Sequence, residues 1–539
     1  MVRKEGPAAV EALQAVLGLP PNSASREAQA LLGEARMLTG DNGRAVAEFE
    51  QFLRQYPEGP DADLVRAALA ALAPPVAADA APAGRRRVQP STTLTGSISA
   101  YYYGGQSKVR TQEFQDSPLS GLPELVSDAT LSGTDQSQWV GNADVNWRNR
   151  DADIDQRFVF RDTYLRDLQR PEKSRNRLNA LYYDQRSFSN GFGFRVGRQT
   201  PLGDGVLGRF DGAQVGYMFR PRWKVRATAG VPTDDLLDTK RHFYGAAVEG
   251  EALTPQLGGS LYAIEQKIDG QTDRRAIGTE LRYFDGGLSG TAQFDYDVLL
   301  KGLNIATVQG TWQGADNMVV NALYDQRTAP LMMLGNVLFF IDPTLPVRPT
   351  RIGDLLATTS IEALRERARQ ITAKSTQAAL GFTKPVAEGW QVGMDVRYTN
   401  TGAVAPVPDI LPNGLPSTGD IWSLSGQVIG TNLFSERDTH VMVANFLNGP
   451  TFEGQFASYN ASLFSNGLQL EPSLKLYRQS EKSGLKSTRW APGLRVTYRV
   501  LQQLALESEL TVENSSITGP GRDENSRRAF YYLGGRYEF

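Results

Sequence analysis

From about Ser91 to the C-terminus, apolar and polar residues alternate within segments of about ten to fourteen residues, and turn-forming residues separate the segments. Residues 223–229 and 390–398 are clear examples, because every second side chain in them is apolar or small. A period of two places successive side chains on opposite faces of a strand. We count about 22 such segments, within a range of about 16 to 24. The pattern therefore predicts a mainly β protein.

The two faces of these strands differ in a way that favours a membrane barrel. One face carries Trp, Leu, Val, Tyr and Phe, and the other carries charged residues, whereas a soluble β-sandwich places polar residues outside. Short turns such as residues 285–286 and 465–467 alternate with longer connections such as residues 200–209, 329–374 and 402–417. Residues 104–136 and 517–526 are also expected to be long loops. This alternation predicts a large antiparallel transmembrane β-barrel with both chain ends in the periplasm.

Composition is compatible with this interpretation and excludes several others. Charged residues make up 22% of the 539 residues, and no apolar run approaches the length of about 18 residues that a membrane helix needs. The chain has no cysteine, so it has neither disulfides nor a cysteine-based zinc site. A formal net charge of −2 gives no general attraction to nucleic acid.

The C-terminus carries a family resemblance. Tyr537 and Phe539 form an aromatic-any-aromatic ending, and Gly534 stands three residues before that pair. This ending resembles the closing strand of bacterial outer-membrane barrels, which the barrel-assembly machinery recognises. The resemblance implies that Gly534, Tyr537 and Phe539 form an assembly signal, and that outer-membrane lipid, lipopolysaccharide and the assembly machinery are partners.

The N-terminal part has a different pattern. Residues 1–73 are rich in Ala and Leu at helical spacing, and Gly33, Ala45, Phe49 and Pro57 hold the relative positions of a tetratricopeptide repeat over about residues 26–59. The segment resembles such a repeat, and a plain helical hairpin is the alternative. We expect three parts: a helical periplasmic segment at 1–73, a Pro/Ala/Arg linker at 74–90 and a barrel at 91–539. Because no secretory signal precedes the helices, we also expect a longer precursor.

The charged face of the strands supplies candidate lumen-lining residues. Both signs occur in quantity, so no ion selectivity is predicted, and a charge ladder that stiffens the wall is the alternative to a hydrophilic conduit. The candidates are Arg157, Arg195, Lys224, Arg226, Glu249, Glu251, Glu280, Arg282, Asp295, Asp297, Asp395, Arg397, Arg495, Arg499, Glu507, Glu509, Glu513 and Arg536.

The connection at 329–374 is too long for a plain loop. Its apolar run at 331–341 needs cover, and residues 360–373 have the pattern of a short helix. We expect this segment to fold into the mouth and constrict the pore, with an extended strand pair as the alternative. The candidate gating residues are Phe339, Arg365, Arg367 and Arg369.

Signs of catalysis and of cofactor binding are weak. The chain has only two histidines, His242 and His440, and neither has metal-ligand spacing. His440 together with a serine such as Ser425 is conceivable as a wall-mounted hydrolase pair, but an ordinary rim residue is favoured. We therefore predict no enzyme activity, no catalytic residues, no cofactor and no metal.

The order of a tetratricopeptide-like segment and a C-terminal barrel resembles that of exopolysaccharide-export porins and of surface-lipoprotein assembly modulators. The resemblance is one of architecture and implies an export channel for a polymer such as exopolysaccharide, with the helical segment docking a periplasmic protein. The alternatives are translocation of surface proteins and a barrel anchor without transport.

Overall fold

The computed structural model describes residues 9–10, 12–13, 25–38, 42–56, 62, 64–66, 68–69, 90–116, 123–201, 203–234, 236–339, 348–407 and 411–539. The chain divides into two compact units, Met1–Arg87 and Val88–Phe539. The predicted linker at 74–90 lies outside the described residues except for Pro90, and so does Pro57 of the proposed repeat.

The second unit consists of antiparallel strands of unequal length. The strands are β1 Ser91–Asp116, β2 Pro123–Arg150, β3 Ile154–Asp167, β4 Arg175–Ser187, β5 Phe192–Gln199, β6 Phe210–Arg220, β7 Trp223–Pro232, β8 Arg241–Gly250, β9 Leu257–Ile268, β10 Gln271–Asp285, β11 Leu288–Asp297, β12 Gly302–Gln313, β13 Val319–Ala329, β14 Ala373–Ala387, β15 Trp390–Thr401, β16 Ile421–Thr431, β17 Thr439–Asn448, β18 Phe452–Ser465, β19 Leu468–Glu481, β20 Lys486–Arg499, β21 Leu504–Gly519 and β22 Arg522–Glu538.

All of these strands form one closed sheet of 22 strands. Each strand pairs with its neighbour in sequence, and β1 pairs with β22 from Ser97↔Glu538 to Glu113↔Arg522. Closure removes the unpaired edges that would otherwise need hydrogen-bond partners in lipid. The predicted fold, a closed antiparallel barrel of about 22 strands, is confirmed.

The two ends of the barrel differ in their connections. At the end that carries the first residue of β1 and the last of β22, every connection is two to seven residues long. We call this the turn end and the other the loop end, where the connections at 330–372 and 402–420 lie. The prediction of long loops at 104–136 and 517–526 was wrong. Strands β1 and β2 pair almost throughout that first region, and only Pro520 and Gly521 separate β21 from β22.

The outward face of the barrel is apolar and bears two aromatic belts. Toward the turn end lie Tyr498, Tyr537, Trp312 and Trp390, and toward the loop end lie Trp139, Trp422, Trp490 and Tyr531, all more than a third exposed. Exposed leucines such as Leu506, Leu510 and Leu533 fill the band between them. Aromatic belts on both sides of an apolar band are typical of a surface that contacts lipid.

The first unit contains a pair of helices, α1 Ser25–Leu38 and α2 Asn42–Gln55. Phe49 and Phe52 are completely buried with Ala45, Ala62 and Val65. Gly33 is required at the contact, because a Cβ there would lie 2.3 Å from the Phe49 ring. The structure thus contains the close helix pair, while its identity as a tetratricopeptide repeat stays a prediction. Among the described residues, no helix is both long and apolar enough to cross a membrane.

Candidate functional site

The inner face of the barrel is partly covered along strands β7 to β13. The connection between β5 and β6 folds inward, and its residues 203–206 lie against this wall. The Arg226 guanidinium donates to the Asp204 carboxylate at 2.5 Å, the Asp204 backbone N–H donates to Glu280 Oε1 at 3.0 Å, and Arg274 donates to the Gly205 carbonyl at 2.9 Å. Arg274 also forms an ion pair with Asp295, and both side chains are buried. We call residues 203–206 the inner latch.

The long connection at 330–372 covers the loop end of the same wall. It contains a 3-10 helix at Leu334–Leu338 and two α-helices, α3 Ile352–Leu356 and α4 Ile361–Gln370. Leu334, Val337, Leu338, Ile352, Leu364 and Ala368 pack on Leu236 and Ile268 in one buried cluster. The apolar run is therefore helical over Leu334–Leu338, and the alternative of an extended strand pair was wrong there.

Polar anchors hold this connection on the strands. The backbone N–H of Gly335 donates to Asp273 Oδ1 at 2.7 Å, and that of Ile352 donates to Asp269 Oδ2 at 2.9 Å. The N–H of Met332 donates to Asn304 Oδ1 at 2.8 Å. Carboxylate and amide acceptors on β10, β12 and the β9–β10 turn thus fix the segment against one side of the barrel.

The predicted gating residues occupy different places in this segment. Phe339 directly follows the 3-10 helix and is 57% exposed. Arg365, Arg367 and Arg369 lie on α4, whose Leu364 and Ala368 are buried, and the Arg369 side chain is 48% exposed. Residues 340–347 of the expected gate lie outside the described residues. Constriction of the pore by this segment stays a prediction.

The inner face along strands β2 to β5 is uncovered and rich in arginine. Its side chains share the face opposite to the exposed Phe158, Leu181 and Val196. The arginine wall, as we call the charged residues of this face where β2 to β5 pair with one another, contains eight arginines and four aspartates: Arg148, Arg150, Arg157, Arg161, Arg175, Arg177, Arg186 and Arg195 with Asp144, Asp155, Asp167 and Asp184. Positive charges outnumber negative ones there by four.

Register and ion pairs define the geometry of the arginine wall. Arg148 lies directly opposite Arg157, and Arg157 lies directly opposite Asp184. Arg161 pairs with Asp144 at 2.8 Å, and their side chains are 51% and 43% exposed. The Arg186 side chain is 59% exposed, and its nearest carboxylate is 3.9 Å away. Several guanidinium groups therefore face solvent inside the barrel with incomplete neutralisation.

A chain of hydrogen bonds connects the loop-end part of this wall to the β5–β6 connection, which carries the inner latch. Asn142 donates to Ser99 at 3.4 Å, and Thr163 donates to Asn142 at 3.0 Å. Asn179 donates to Thr163 at 3.0 Å, and Arg209 donates to the Asn179 side chain at 2.8 Å. These contacts cross β1, β2, β3 and β4, so the wall is a cross-linked polar surface.

The seam between β22 and β1 carries a second inner cluster, of tyrosines and paired charges. Tyr532 lies 5.7 Å from Tyr101 and 5.4 Å from Tyr103 between ring centroids. Arg495 pairs with Glu507 at 2.9 Å and with Glu471 at 3.6 Å. This seam cluster is close to charge balance, unlike the arginine wall.

A shallow polar recess lies on the inner face from β10 to β16, with a volume of ≈ 610 Å³. Small residues such as Gly381 and Gly393 make room for it, and Arg282, Asp395 and Arg397 border it with hydroxyl and amide side chains. It is open to the lumen and offers both donors and acceptors to a solute.

The structure places the predicted lumen residues in distinct groups. Arg157 and Arg195 belong to the arginine wall, Arg226, Glu280 and Asp295 to the covered wall, and the candidates on β20 to β22 to the seam side. All of them lie in strands on the face opposite to the exposed apolar residues, except Glu251, which lies in the β8–β9 connection. Their role in lining a pore stays a prediction.

Sequence reasoning missed several exposed members of the arginine wall. Arg148, Arg161 and Arg186 were not among the candidates, although the period-two pattern of β2 to β4 places them on the same face as Arg157. The pattern could have identified them one strand at a time. The pairing register was needed to collect them into one surface.

The idea that Ser425 and His440 form a hydrolase pair was wrong. Ser425 lies opposite Asn445, with its side chain on the inner face, whereas His440 has the parity of the exposed Met442 and Phe446 on the outer face. Nδ1 of His440 lies 2.8 Å from the Tyr459 hydroxyl, and Nε2 lies 3.5 Å from Asp438. The sheet itself separates the serine from the histidine.

Asp438 organises the turn before β17. Burial of its carboxylate opposes ionisation, but hydrogen bonds from the backbone N–H groups of Phe434, Leu433 and Ser435 outweigh it and lower the pKa of Asp438 to about 2. A carboxylate that accepts three backbone N–H bonds is a structural element of the turn.

The residues of the expected assembly signal lie at the seam. A Cβ at Gly534 would lie 2.2 Å from the Ala100 carbonyl oxygen, so glycine is required where β22 meets β1. Tyr537 and Phe539 face outward with their rings 6.3 Å apart, and Phe539 exchanges backbone hydrogen bonds with Gly96 at 2.8 and 3.0 Å. Recognition by assembly machinery stays a prediction.

Comparisons with known proteins identify no family for this chain. No family model matches the chain, and no curated protein matches it. Among solved structures, Pseudomonas aeruginosa OccK2 (OpdF) is 11% identical with a TM-score of 0.35, covering 82% of this chain and 98% of that chain. A BenF-like porin from Pseudomonas fluorescens Pf-5 is 10% identical with a TM-score of 0.34, covering 83% and 98%.

A bacterial polysaccharide outer membrane secretin is 10% identical with a TM-score of 0.27, covering 59% of this chain and 97% of that chain. Because these sequence identities and TM-scores are low, the fold is assigned from the strand pairing described above. The function of this chain is inferred from its own inner face.

Proposed function

We propose that this protein is an outer-membrane conduit for hydrophilic solutes and that it favours anions. The observation that carries the proposal is the arginine wall, where positive charges outnumber negative ones by four on an uncovered inner surface. Arg and Lys side chains that line a pore concentrate anions and repel cations. The apolar outer band and the two aromatic belts support the membrane position.

The distribution of buried residues supports an eccentric path. Inner residues of the covered wall, such as Arg274, Asp295 and Asn304, are at most 1% exposed. Several arginines of the opposite wall are about half exposed, with Arg148, Arg161 and Arg186 at 45%, 51% and 59%, whereas the Arg195 side chain, at 10%, is buried against Asp184. Solutes therefore pass along the arginine wall and the seam cluster, while the inner latch and the connection at 330–372 fill the other side.

A reversal-potential measurement in a KCl gradient tests this proposal. The triple variant Arg157→Glu, Arg161→Glu and Arg186→Glu turns the excess of positive charge on this wall into an excess of negative charge, so its reversal potential should change sign. Exposed connections supply a matched control, Lys173→Glu, Arg437→Glu and Lys482→Glu, which makes the same change in net charge away from the wall. Equal reversal potentials in the two triple variants would contradict the proposal.

A finer proposal concerns export of a polymer such as exopolysaccharide. The seam cluster favours it, because the partly exposed rings of Tyr103 and Tyr532 beside Arg495 offer stacking and hydrogen bonds to sugar rings. In this proposal the helical unit docks a periplasmic protein. Acidic oligosaccharides should block the current in the wild type, and Tyr103→Ala with Tyr532→Ala should weaken the block by about 10-fold, as for stacked aromatic contacts of about 1.4 kcal/mol in total.

A further inference from the structure

A basic groove lies on the outward face of the seam, on the loop-end side of the apolar band. It has a volume of ≈ 380 Å³ and its lining includes Lys108, Arg110, Trp490, Asn514 and Arg527. These side chains have the outward parity of Tyr102 on β1 and Tyr531 on β22, so they face away from the lumen. The groove is thus separate from the conduit.

The groove is formed by two neighbouring rows of side chains, which run across the strands β1, β22, β21 and β20. In the first row, Lys108 lies opposite Arg527, Arg527 opposite Asn514, and Asn514 opposite Trp490. In the second row, Arg110 lies opposite Asn525 and Asn525 opposite Ser516. Side chains directly opposite in such pairs are only about 5 Å apart at Cβ.

The first row places two positive charges opposite each other without a protein counterion. Within the part of the chain that the structure describes, Lys108 and Arg527 make no side-chain hydrogen bond or ion pair, and neither do Asn514 and Asn525. Like charges in directly opposed positions destabilise a strand pair unless an anion bridges them. Arg110, in contrast, is already paired with Asp128 at 2.6 Å.

The position of the groove relative to the apolar band indicates the kind of anion. Tyr531 of the loop-end aromatic belt and Leu510 of the apolar band lie four residues along their strands from Arg527 and Asn514, toward the turn end. Four residues of strand correspond to about 13 Å. Trp490, half exposed, ends the first row, and tryptophan favours the level of lipid head groups.

We propose that the groove binds the phosphate groups of the outer-leaflet glycolipid, lipopolysaccharide, at Lys108 and Arg527. The Asn514 and Asn525 amides complete the donor set, and the acyl chains lie on the apolar band below. The inference rests on the proposed outer-membrane position with the loop end outward. Lysine and arginine pockets at the edge of a membrane bind anionic head groups in this way.

Lipid binding to the detergent-solubilised full chain, measured by native mass spectrometry, tests the site. Diphosphoryl lipid A should bind the wild type about 10-fold more tightly than it binds the variant with Lys108→Gln and Arg527→Gln. The matched control is Arg528→Gln, because Arg528 neighbours Arg527 on the same strand and faces inward. This control should bind lipid A as the wild type does, and loss of both phosphates from the lipid should abolish the difference between wild type and double variant.

Three results would overturn the inference: equal lipid A binding by wild type and double variant, equally tight binding of phosphatidylglycerol, or displacement of lipid A by inorganic phosphate at equal concentration. A heat-dependent shift in gel mobility verifies that each variant is folded. If the double variant fails to fold, Lys108→Gln alone should weaken binding about threefold. Unchanged conductance together with unchanged lipid binding would contradict this inference alone and leave the proposed conduit intact.

Discussion

The inner latch provides a sharp prediction, because few contacts hold it. Replacement of Arg226 by Met removes the guanidinium that bridges Asp204 and Glu249 at 2.5 and 2.8 Å. Asp204 is only 4% exposed, so the substitution leaves its carboxylate buried without a cation. Residues 203–206 should then leave the wall.

The magnitude follows from the three polar contacts of the latch. Hydrogen bonds to charged groups contribute about 2 kcal/mol each, which gives about 6 kcal/mol for the bonds of Asp204 and Gly205. Ordering four backbone residues costs about 4 kcal/mol at about 1 kcal/mol each. The net free energy of about 2 kcal/mol makes the closed position of the latch about 30 times more populated than the open one. Loss of the Arg226 bond removes this preference.

Cysteine labelling measures this preference directly, because the natural chain has no cysteine. Val206→Cys places a thiol against Phe210, Phe243 and Ile264, where labelling should be slow. Adding Arg226→Met should raise the labelling rate by about 15-fold, because the open fraction rises from about one in 30 to about one half. The control is Arg282→Met, which removes the other cation bound to Glu249 but leaves the contacts of the latch in place. Equal rates with Arg226→Met and with Arg282→Met would refute the reasoning.

Three further predictions concern other parts of the barrel. Deletion of residues 331–372 should raise single-channel conductance in a planar bilayer, because the covered wall loses its cover, and an unchanged conductance would exclude the gate. Gly534→Ala should lower the yield of heat-resistant folded barrel, since its Cβ meets the Ala100 carbonyl at 2.2 Å, whereas Gly535→Ala, with 3.3 Å to its nearest atom, should not. Asp438, whose pKa is about 2 in the folded protein against 3.8 ordinarily, stabilises its turn above about pH 4 and loses this contribution as the pH falls toward 2. The protection of the turn amides against hydrogen exchange, taken relative to the intrinsic exchange rate at each pH, should therefore fall over that interval, and Asp438→Asn should lower it already at neutral pH.

The sequence predicts the barrel well because its evidence is local. Alternation along β7 or β15 depends only on neighbouring residues, and the aromatic ending of β22 is contiguous, so closure by about 22 strands was expected. Strands β1 and β2 were mistaken for a loop over residues 104–136, because polar residues on both faces of this paired region hide the period of two.

The functional surfaces depend on pairing between distant residues, which the sequence does not display. Arg148 and Arg157 become neighbours only through the register of β2 and β3, and Arg209 joins that wall through Asn179. The residues of the inner latch were expected only as part of the longer connection at 200–209, since nothing near Asp204 in sequence indicates Arg226 or Glu280 as partners.

The reversal potential of the purified wild-type chain in a planar bilayer tests the central claim most directly. An ion about 8 Å from one unpaired guanidinium gains or loses about 0.2 kcal/mol in water at physiological salt. If two of the four excess charges act at each point of the path, anions are favoured over cations by about 0.8 kcal/mol, a permeability ratio of about four. A KCl gradient should therefore give a reversal potential of the sign set by chloride. A cation-selective current, or no current from the folded barrel, would contradict the account.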